Sequence, residues 1–115
     1  MNRLKETFRK NGLPYQLIQR NEFVAMYGVG NTYTDIILHY EVCAVHFKKK
    51  RLVFGNTVPK TECLPSNERF GIDMSRAIVG YIDAQKYYTW LSRYIKMSPE
   101  GKKHCPRYVL NPALD

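Results

Sequence analysis

Alternating apolar and polar positions dominate the middle of the chain and predict β-strands. From residue 36 to residue 45 one set of alternate positions is apolar, and the other set mixes apolar and polar side chains. A period of two over about ten residues is typical of a strand and not of a helix. Shorter apolar runs predict further strands at residues 15–19, 23–27 and 52–54. Pro59 limits the extended segment 57–64 to a sheet edge, because proline cannot donate a backbone hydrogen bond.

A helical pattern occurs in the C-terminal half of the chain. Apolar side chains recur there at the spacing of one helix face, at Tyr87, Trp90, Leu91, Tyr94 and Ile95. Asp83 is a suitable N-cap, and Pro99 predicts the end of this helix. We expect the residues from 98 to 115 to form an extended tail.

A second, shorter helix is predicted at the N-terminus. Leu4 and Phe8 are one helical turn apart, Asn2 is a good N-cap, and Asn11 with Gly12 supplies a stop signal. The fold prediction is therefore a single α+β domain over residues 1–115. It has an antiparallel sheet of about four strands, one long C-terminal helix packed on the sheet, and a short N-terminal helix.

Charge changes this picture from a generic small domain to a basic one. The 115 residues carry 18 Lys and Arg against 10 Asp and Glu, a formal net charge of +8. The cations concentrate in the first ten residues, in the run 48–51, and after the long helix. An excess of this size favours polyanions or an acidic protein surface as partners. The candidate binding residues are Arg9, Lys10, Lys48, Lys49, Lys50, Arg51, Lys102, Lys103 and Arg107.

Two interpretations of this charge remain open. Either the three basic segments share one face that meets phosphates or carboxylates, or charge at termini and loops serves solubility alone. Aromatic residues outside the predicted core can add base stacking to a basic face. The candidates for such contacts are Tyr33, Tyr88 and Tyr108.

Catalytic and metal-binding patterns are weak in this sequence. On a strand, His39 and Cys43 are about 13 Å apart, too far to share one zinc ion, so we predict no metal and no cofactor. Folding could still gather Cys43, Cys63, His46 and His104. A nucleophile pair of Cys63 with His39 or His46 is the sole such pairing that merits a test, and we predict no enzyme and no catalytic residue.

The glycines at 28 and 30 superficially resemble a phosphate-binding loop. A strand pattern follows them where a dinucleotide fingerprint requires a helix, so we predict a turn. The three cysteines are odd in number and far apart, which favours a reducing compartment. No apolar run is long enough to span a membrane, and we expect no secretory signal.

The middle of the chain resembles small uncharacterised proteins of phages and prophages. The resemblance covers about residues 15–71, and its most specific part is Pro65-Ser66-Asn67-Glu68-Arg69-Phe70-Gly71. The pattern departs after Gly71, where residues 72–82 intervene before the helix. The resemblance brings no catalytic residue, and it implies a phage or mobile-element origin and the cytoplasm of a host bacterial cell.

These observations lead to three functional hypotheses. The first is a non-enzymatic phage or mobile-element protein that binds a host macromolecule, such as a nucleic-acid-handling or defence complex with an acidic surface, through its basic segments. The second is direct binding of single-stranded nucleic acid. The third is a small hydrolase or nuclease. The sequence does not specify an oligomeric state.

Overall fold

A computed structural model describes residues 2–31, 36–65 and 74–105 of the chain. Within these ranges the chain forms nine strands and two helices. In chain order they are β1 (Thr7–Lys10), β2 (Leu13–Arg20), β3 (Val24–Gly30), β4 (Ile37–Ala44), β5 (His46–Lys48), β6 (Arg51–Val53), β7 (Asn56–Val58), β8 (Thr61–Cys63), β9 (Ser75–Ile78), α1 (Tyr81–Lys96) and α2 (Pro99–His104).

Five of the strands form one antiparallel sheet in the order β1-β2-β3-β4-β9. The first four strands follow each other in sequence, and β9 joins the far side of β4 after residues 46–63 have left the sheet. Six consecutive residues of β3 are buried. Because successive side chains on a strand point to opposite faces, the middle strand must be covered on both sides.

Helix α1 covers one face of this sheet. Val24, Met26 and Val42 from the strands pack with Tyr87 and Leu91 from the helix, and all five are buried. Leu91 is fully buried, and burial of a leucine side chain stabilises the fold by about 1.5–3 kcal/mol. This contact fixes the helix on β3, β4 and β9.

The opposite face of the sheet is covered by the N-terminal segment. Tyr15, Tyr27 and Val29 are buried there, with Leu4 and Phe8 packed against them. The rings of Phe8 and Tyr15 stack with their centroids 4.7 Å apart, and the Tyr27 hydroxyl donates to the backbone carbonyl of Lys5 at 2.6 Å. The protein therefore has two apolar layers, one on each side of β3.

The predicted fold class is wrong in its proportions and its elements. Strands account for 48% of the structure and helices for 24%, with a five-stranded sheet instead of about four strands and two helices after it instead of one. The predicted N-terminal helix is absent from the described residues, since residues 7–10 form β1 and pair with β2. Leu4 and Phe8 do lie on one side, because both contact the buried layer beneath Tyr27.

The C-terminal region also differs from the prediction. Helix α1 begins at Tyr81 with Gly80 as its N-cap, so Asp83 lies in the first turn. The predicted extended tail is helical from Pro99 to His104, where the Ser98 hydroxyl caps α2 by accepting from the Gly101 N–H. The rest of the predicted tail, residues 106–115, lies outside the described residues.

The predicted turn at residues 28–30 is part of β3. A Cβ atom on Gly28 would lie 3.0 Å from Ile37 Cδ1 and 3.2 Å from Ile18 Cδ1. Glycine at this position therefore permits two isoleucine side chains to approach the strand closely, which explains a turn-like residue inside a strand. Most of the segment that carries the phage resemblance most specifically, residues 66–71, lies outside the described ranges.

Candidate nucleic-acid interface

Residues 46–63 form a two-stranded arm that leaves the central sheet. Strand β5 pairs with β8, and β6 pairs with β7, in the same antiparallel register. The two ladders are separated by residues 49–50 on one side and 59–60 on the other, where Pro59 cannot donate a hydrogen bond. Each side of the arm has eight residues, 46–53 and 56–63, which gives the arm a length of about 26 Å.

A two-residue turn closes the arm at its tip. Phe54 has φ 50° and Gly55 has φ 80°, so both central residues lie in the left-handed region. This is the geometry of a type I′ turn, whose twist matches that of the flanking strands. Gly55 adopts it freely, and the sequence thereby specifies a tight hairpin at this point.

The arm carries five exposed cations. Four of them are consecutive, and Lys60 lies on the returning strand opposite to them. Lys60 Nζ is 4.5 Å from the centroid of the Phe47 ring, a cation–π contact near the base of the arm. The set consists of Lys48, Lys49, Lys50, Arg51 and Lys60. Lys48 ends β5 and Arg51 begins β6, and residues 49–50 between them belong to neither strand.

Glu62 is the carboxylate of the arm, and it is neutralised at the base. Arg20 donates to both of its oxygens, at 2.8 and 2.9 Å, and the Leu4 N–H donates to Oε1 at 3.0 Å. These hydrogen bonds from Arg20 hold the pKa of Glu62 below its usual value against the opposing effect of burial. The Glu62 carboxylate in turn raises the pKa of Arg20. The pair anchors the arm to β2.

Asn2 pairs with Thr61 at the base of the arm through an isolated parallel β-bridge. The Asn2 N–H donates to the Lys60 carbonyl at 3.0 Å, and the Glu62 N–H donates to the Asn2 carbonyl at 2.8 Å. Arg3 therefore lies beside the arm, in a cleft of about 530 Å³ that Lys60 and Phe47 also line. The first basic segment contributes Arg3 to this region.

The other basic candidates among the described residues lie on β1 and α2. Arg9 and Lys10 are in β1, beside the start of β2, and Arg9 donates to the Gly12 carbonyl at 3.3 Å. Arg20, which holds the arm, is at the other end of β2, about 23 Å away along the strand. Lys102 and Lys103 are in α2, and Lys102 Nζ lies 5.4 Å from the Tyr94 ring. Arg107 lies outside the described residues.

The aromatic predictions require one correction. Tyr88 is buried in the layer beneath α1, four residues after Ala84 and three before Leu91 on the same helix face, so it is not a surface contact. Burial also raises the pKa of Tyr88. Tyr33 and Tyr108 lie outside the described part of the chain.

Three residues of the arm region are not among the binding residues predicted from the sequence. Phe54 is fully exposed at the tip, with a relative exposure of 101%, and Lys60 and Arg3 lie nearer the base. The sequence signal near the tip was Gly55-Asn56, which is compatible with a turn or a bulge, and the structure has the turn one residue earlier, at Phe54 and Gly55. Sequence spacing alone gives no signal that brings Arg3 to Lys60.

The two cysteines of the strands have different surroundings, since Cys43 lies in the core and Cys63 lies in the arm. Cys43 is buried, and burial raises the pKa of its thiol to about 12. The Cys43 thiol donates to the Ala25 carbonyl at 3.9 Å, as expected of a core cysteine. Cys63 lies directly opposite His46 in the arm ladder, so the structure does bring this predicted pair together. The Nε2 atom of His46 is buried and has no hydrogen-bond partner within the described ranges.

A histidine and a carboxylate also meet on the central sheet. His39 Nε2 lies 3.1 Å from Glu41 Oε2, and the Tyr15 hydroxyl donates to the same oxygen at 2.7 Å. Burial, with the Glu41 carboxylate as a second cause, raises the pKa of Tyr15 well above its usual value. The carboxylate thus links β2 and β4 across the strand between them. Among the described residues, no three His, Cys, Asp or Glu side chains form a group that could hold a metal ion.

No protein-family model matches the chain, and no curated protein or solved structure matches it either. Among the described residues, neither helix is long and apolar enough to cross a membrane. The functional argument therefore rests on the arm and on the residues that anchor it.

Proposed function

We propose that this chain is a non-enzymatic protein that binds nucleic acid through the arm formed by residues 46–63. The observation that carries the proposal is the set of five exposed cations on a protruding two-stranded ribbon, whose single carboxylate is already paired with Arg20. Lysine and arginine side chains that neutralise phosphates release counterions, and this release drives non-specific binding to nucleic acid.

The shape of the arm supports a groove or strand of nucleic acid as the partner. The major groove of B-DNA is about 12 Å wide and admits a two-stranded β-ribbon, and some β-ribbon proteins bind the minor groove instead. Alternate residues of an extended strand point to opposite sides, so Lys48 and Lys50 share one face and Lys49 and Arg51 share the other. Both phosphate walls of a groove are then within reach of cations.

The residue types favour contact with the backbone over reading of sequence. Lysine predominates, and it binds phosphate as a point charge on a flexible stem, whereas the rigid planar fork that suits bidentate recognition is present only in Arg51 within the run. We therefore propose binding with little sequence preference. The resemblance to phage proteins supports a host bacterial cell as the place where this nucleic acid or nucleoprotein is bound.

The test is fluorescence anisotropy with labelled duplex and single-stranded oligonucleotides of random sequence. With four phosphate contacts, affinity should fall roughly 100-fold between about 50 and 200 mM salt. Reversal of Lys48, Lys49, Lys50 and Arg51 to Glu should abolish binding. The variant should keep the wild-type circular dichroism spectrum, because all four side chains are exposed.

A matched control distinguishes the contribution of the arm to binding from the contribution of the total charge. Reversal of four exposed cations outside the candidate set, Lys5, Lys86, Arg93 and Lys96, changes the net charge by the same amount and should leave most of the affinity. Equal loss in both variants contradicts the proposal, because global charge then drives the binding. Binding to polyglutamate as tight as binding to a duplex indicates an acidic protein partner instead. Tighter binding to the single strand than to the duplex favours the second hypothesis.

A further inference from the structure

The tip of the arm carries an aromatic side chain that the fold does not need. Phe54 occupies a left-handed position of a type I′ turn, where asparagine, aspartate or glycine is strongly preferred. Its ring is fully exposed and gains nothing from packing within the described structure. Residues held in unfavourable backbone conformations cluster at functional sites.

The residues next to Phe54 extend the apolar tip. Leu52 has a relative exposure of 74%, and Val53 is also exposed. Arg51 and Lys50 follow immediately behind them on the outgoing strand. The arm therefore has an apolar tip, residues 52–54. The part behind the tip, which we call the stem, carries the cations at 48–51 and Lys60.

The distribution of charge along the stem favours nucleic acid over a membrane as the occupant of this tip. Lys48 and Lys60 lie roughly 16 to 20 Å behind the turn. The potential of an anionic membrane surface falls off within a Debye length of about 8 Å, so a tip inserted into lipid would leave these cations with little attraction. A ribbon lying in a groove has phosphates along its whole length.

We infer that Phe54 is a wedge that inserts between neighbouring base pairs of a duplex whose phosphates are held by the arm. The inference rests on the proposed function and adds the substrate class, a deformable duplex. Apolar wedges enter a base step from the minor groove, partly unstack it and kink the duplex by about 20–90° toward the major groove, so this inference places the tip of the arm in the minor groove. The bend allows more of the duplex to contact the cations behind the tip, which offsets the cost of unstacking. Steps that unstack easily, such as TA and CA, should bind best.

The experiment uses the full chain and a duplex of about 25 base pairs with a fluorescent donor and acceptor at its ends. A second duplex carries 2-aminopurine at a central TA step. Wild-type protein should increase energy transfer and 2-aminopurine emission together. Phe54→Asn, which suits the turn, should bind roughly tenfold more weakly and produce neither change at saturation. Phe54→Trp should restore both signals.

The outcomes distinguish failure of this inference from failure of the proposed function. Wild-type binding that depends on Lys48–Arg51 but changes neither signal overturns the wedge and leaves the arm as a backbone binder. Bending by Phe54→Asn equal to wild type also overturns the wedge. No binding of wild type to the duplex overturns both proposals. Phe54-dependent binding to phosphatidylserine vesicles, without duplex bending, assigns the tip to a membrane surface.

Discussion

The central sheet and the arm are both antiparallel β-structure, and they use their side chains in opposite ways. Six consecutive residues of β3 are buried, whereas every residue of β6 is exposed. The sheet is covered by α1 on one side and by the N-terminal segment on the other. The arm has no such cover among the described residues beyond its base.

The comparison shows that the central sheet provides the stability of this molecule, whereas the arm provides the exposed residues for the proposed binding. An isolated two-stranded hairpin is marginally stable in water, so the arm depends on its attachment. Arg20 and the N-terminal segment supply that attachment through Glu62 and Thr61. Beyond the base, exposed residues can therefore be charged or apolar with little effect on the free energy of unfolding.

Truncation of one leucine in each region should give the largest contrast. Leu91→Ala removes a fully buried side chain and should destabilise the protein by about 2–5 kcal/mol. Leu52→Ala removes a mostly exposed one and should change the free energy of unfolding by less than about 0.5 kcal/mol. Chemical denaturation measures both. A large cost for Leu52→Ala indicates that the tip packs against another surface in solution.

Loss of the anchoring carboxylate should have the next largest effect. Glu62→Gln leaves the Arg20 guanidinium without its charged partner and should destabilise the protein by about 2 kcal/mol. Hydrogen exchange should show faster opening of β5 and β8 than of β3. Uniform acceleration throughout the sheet contradicts a local anchor.

The same pair predicts a dependence on pH. The folded state lowers the pKa of Glu62, so the stabilisation is present above the ordinary value of 4.5 and is lost as pH falls through the folded value. The stability difference between wild type and Glu62→Gln should therefore be largest near neutral pH and shrink below about pH 4.5. Urea titrations at several pH values measure it. A constant difference excludes the carboxylate charge as the cause.

The smallest effect is expected at the tip, and it has the opposite sign. Phe54→Asn relieves the left-handed conformation of a non-glycine residue and should stabilise the protein by up to about 1 kcal/mol. Because Phe54 is fully exposed, no packing is lost. A lower thermal midpoint for the variant contradicts the view that the fold does not need the ring. Gly55→Ala serves as a control that should destabilise the same turn.

Some of the fold and the binding region could be predicted from the sequence, and some could not. Strict alternation from 36 to 45 correctly indicated β-structure there, because a period of two has no helical equivalent. Leu4 and Phe8 have helical spacing, yet pairing of β1 with β2 and stacking of Phe8 on Tyr15 decide the local structure. Tyr88 was predicted as a surface residue because it lies outside the apolar helical pattern counted in the sequence. The buried face of α1 is wider than that pattern and includes Tyr88.

The sequence alone determined the basic balance and the concentration of cations at 48–51. These are local properties of composition and order. Only the tertiary structure decided that residues 46–63 leave the sheet as one arm, that Arg3 joins it while Arg9 does not, and that Glu62 is neutralised by Arg20. Such outcomes depend on which distant strands pair and which faces are covered. Strand pairing and burial are decided by the relative free energies of competing contacts between residues far apart in sequence. A local pattern of residues does not contain that information.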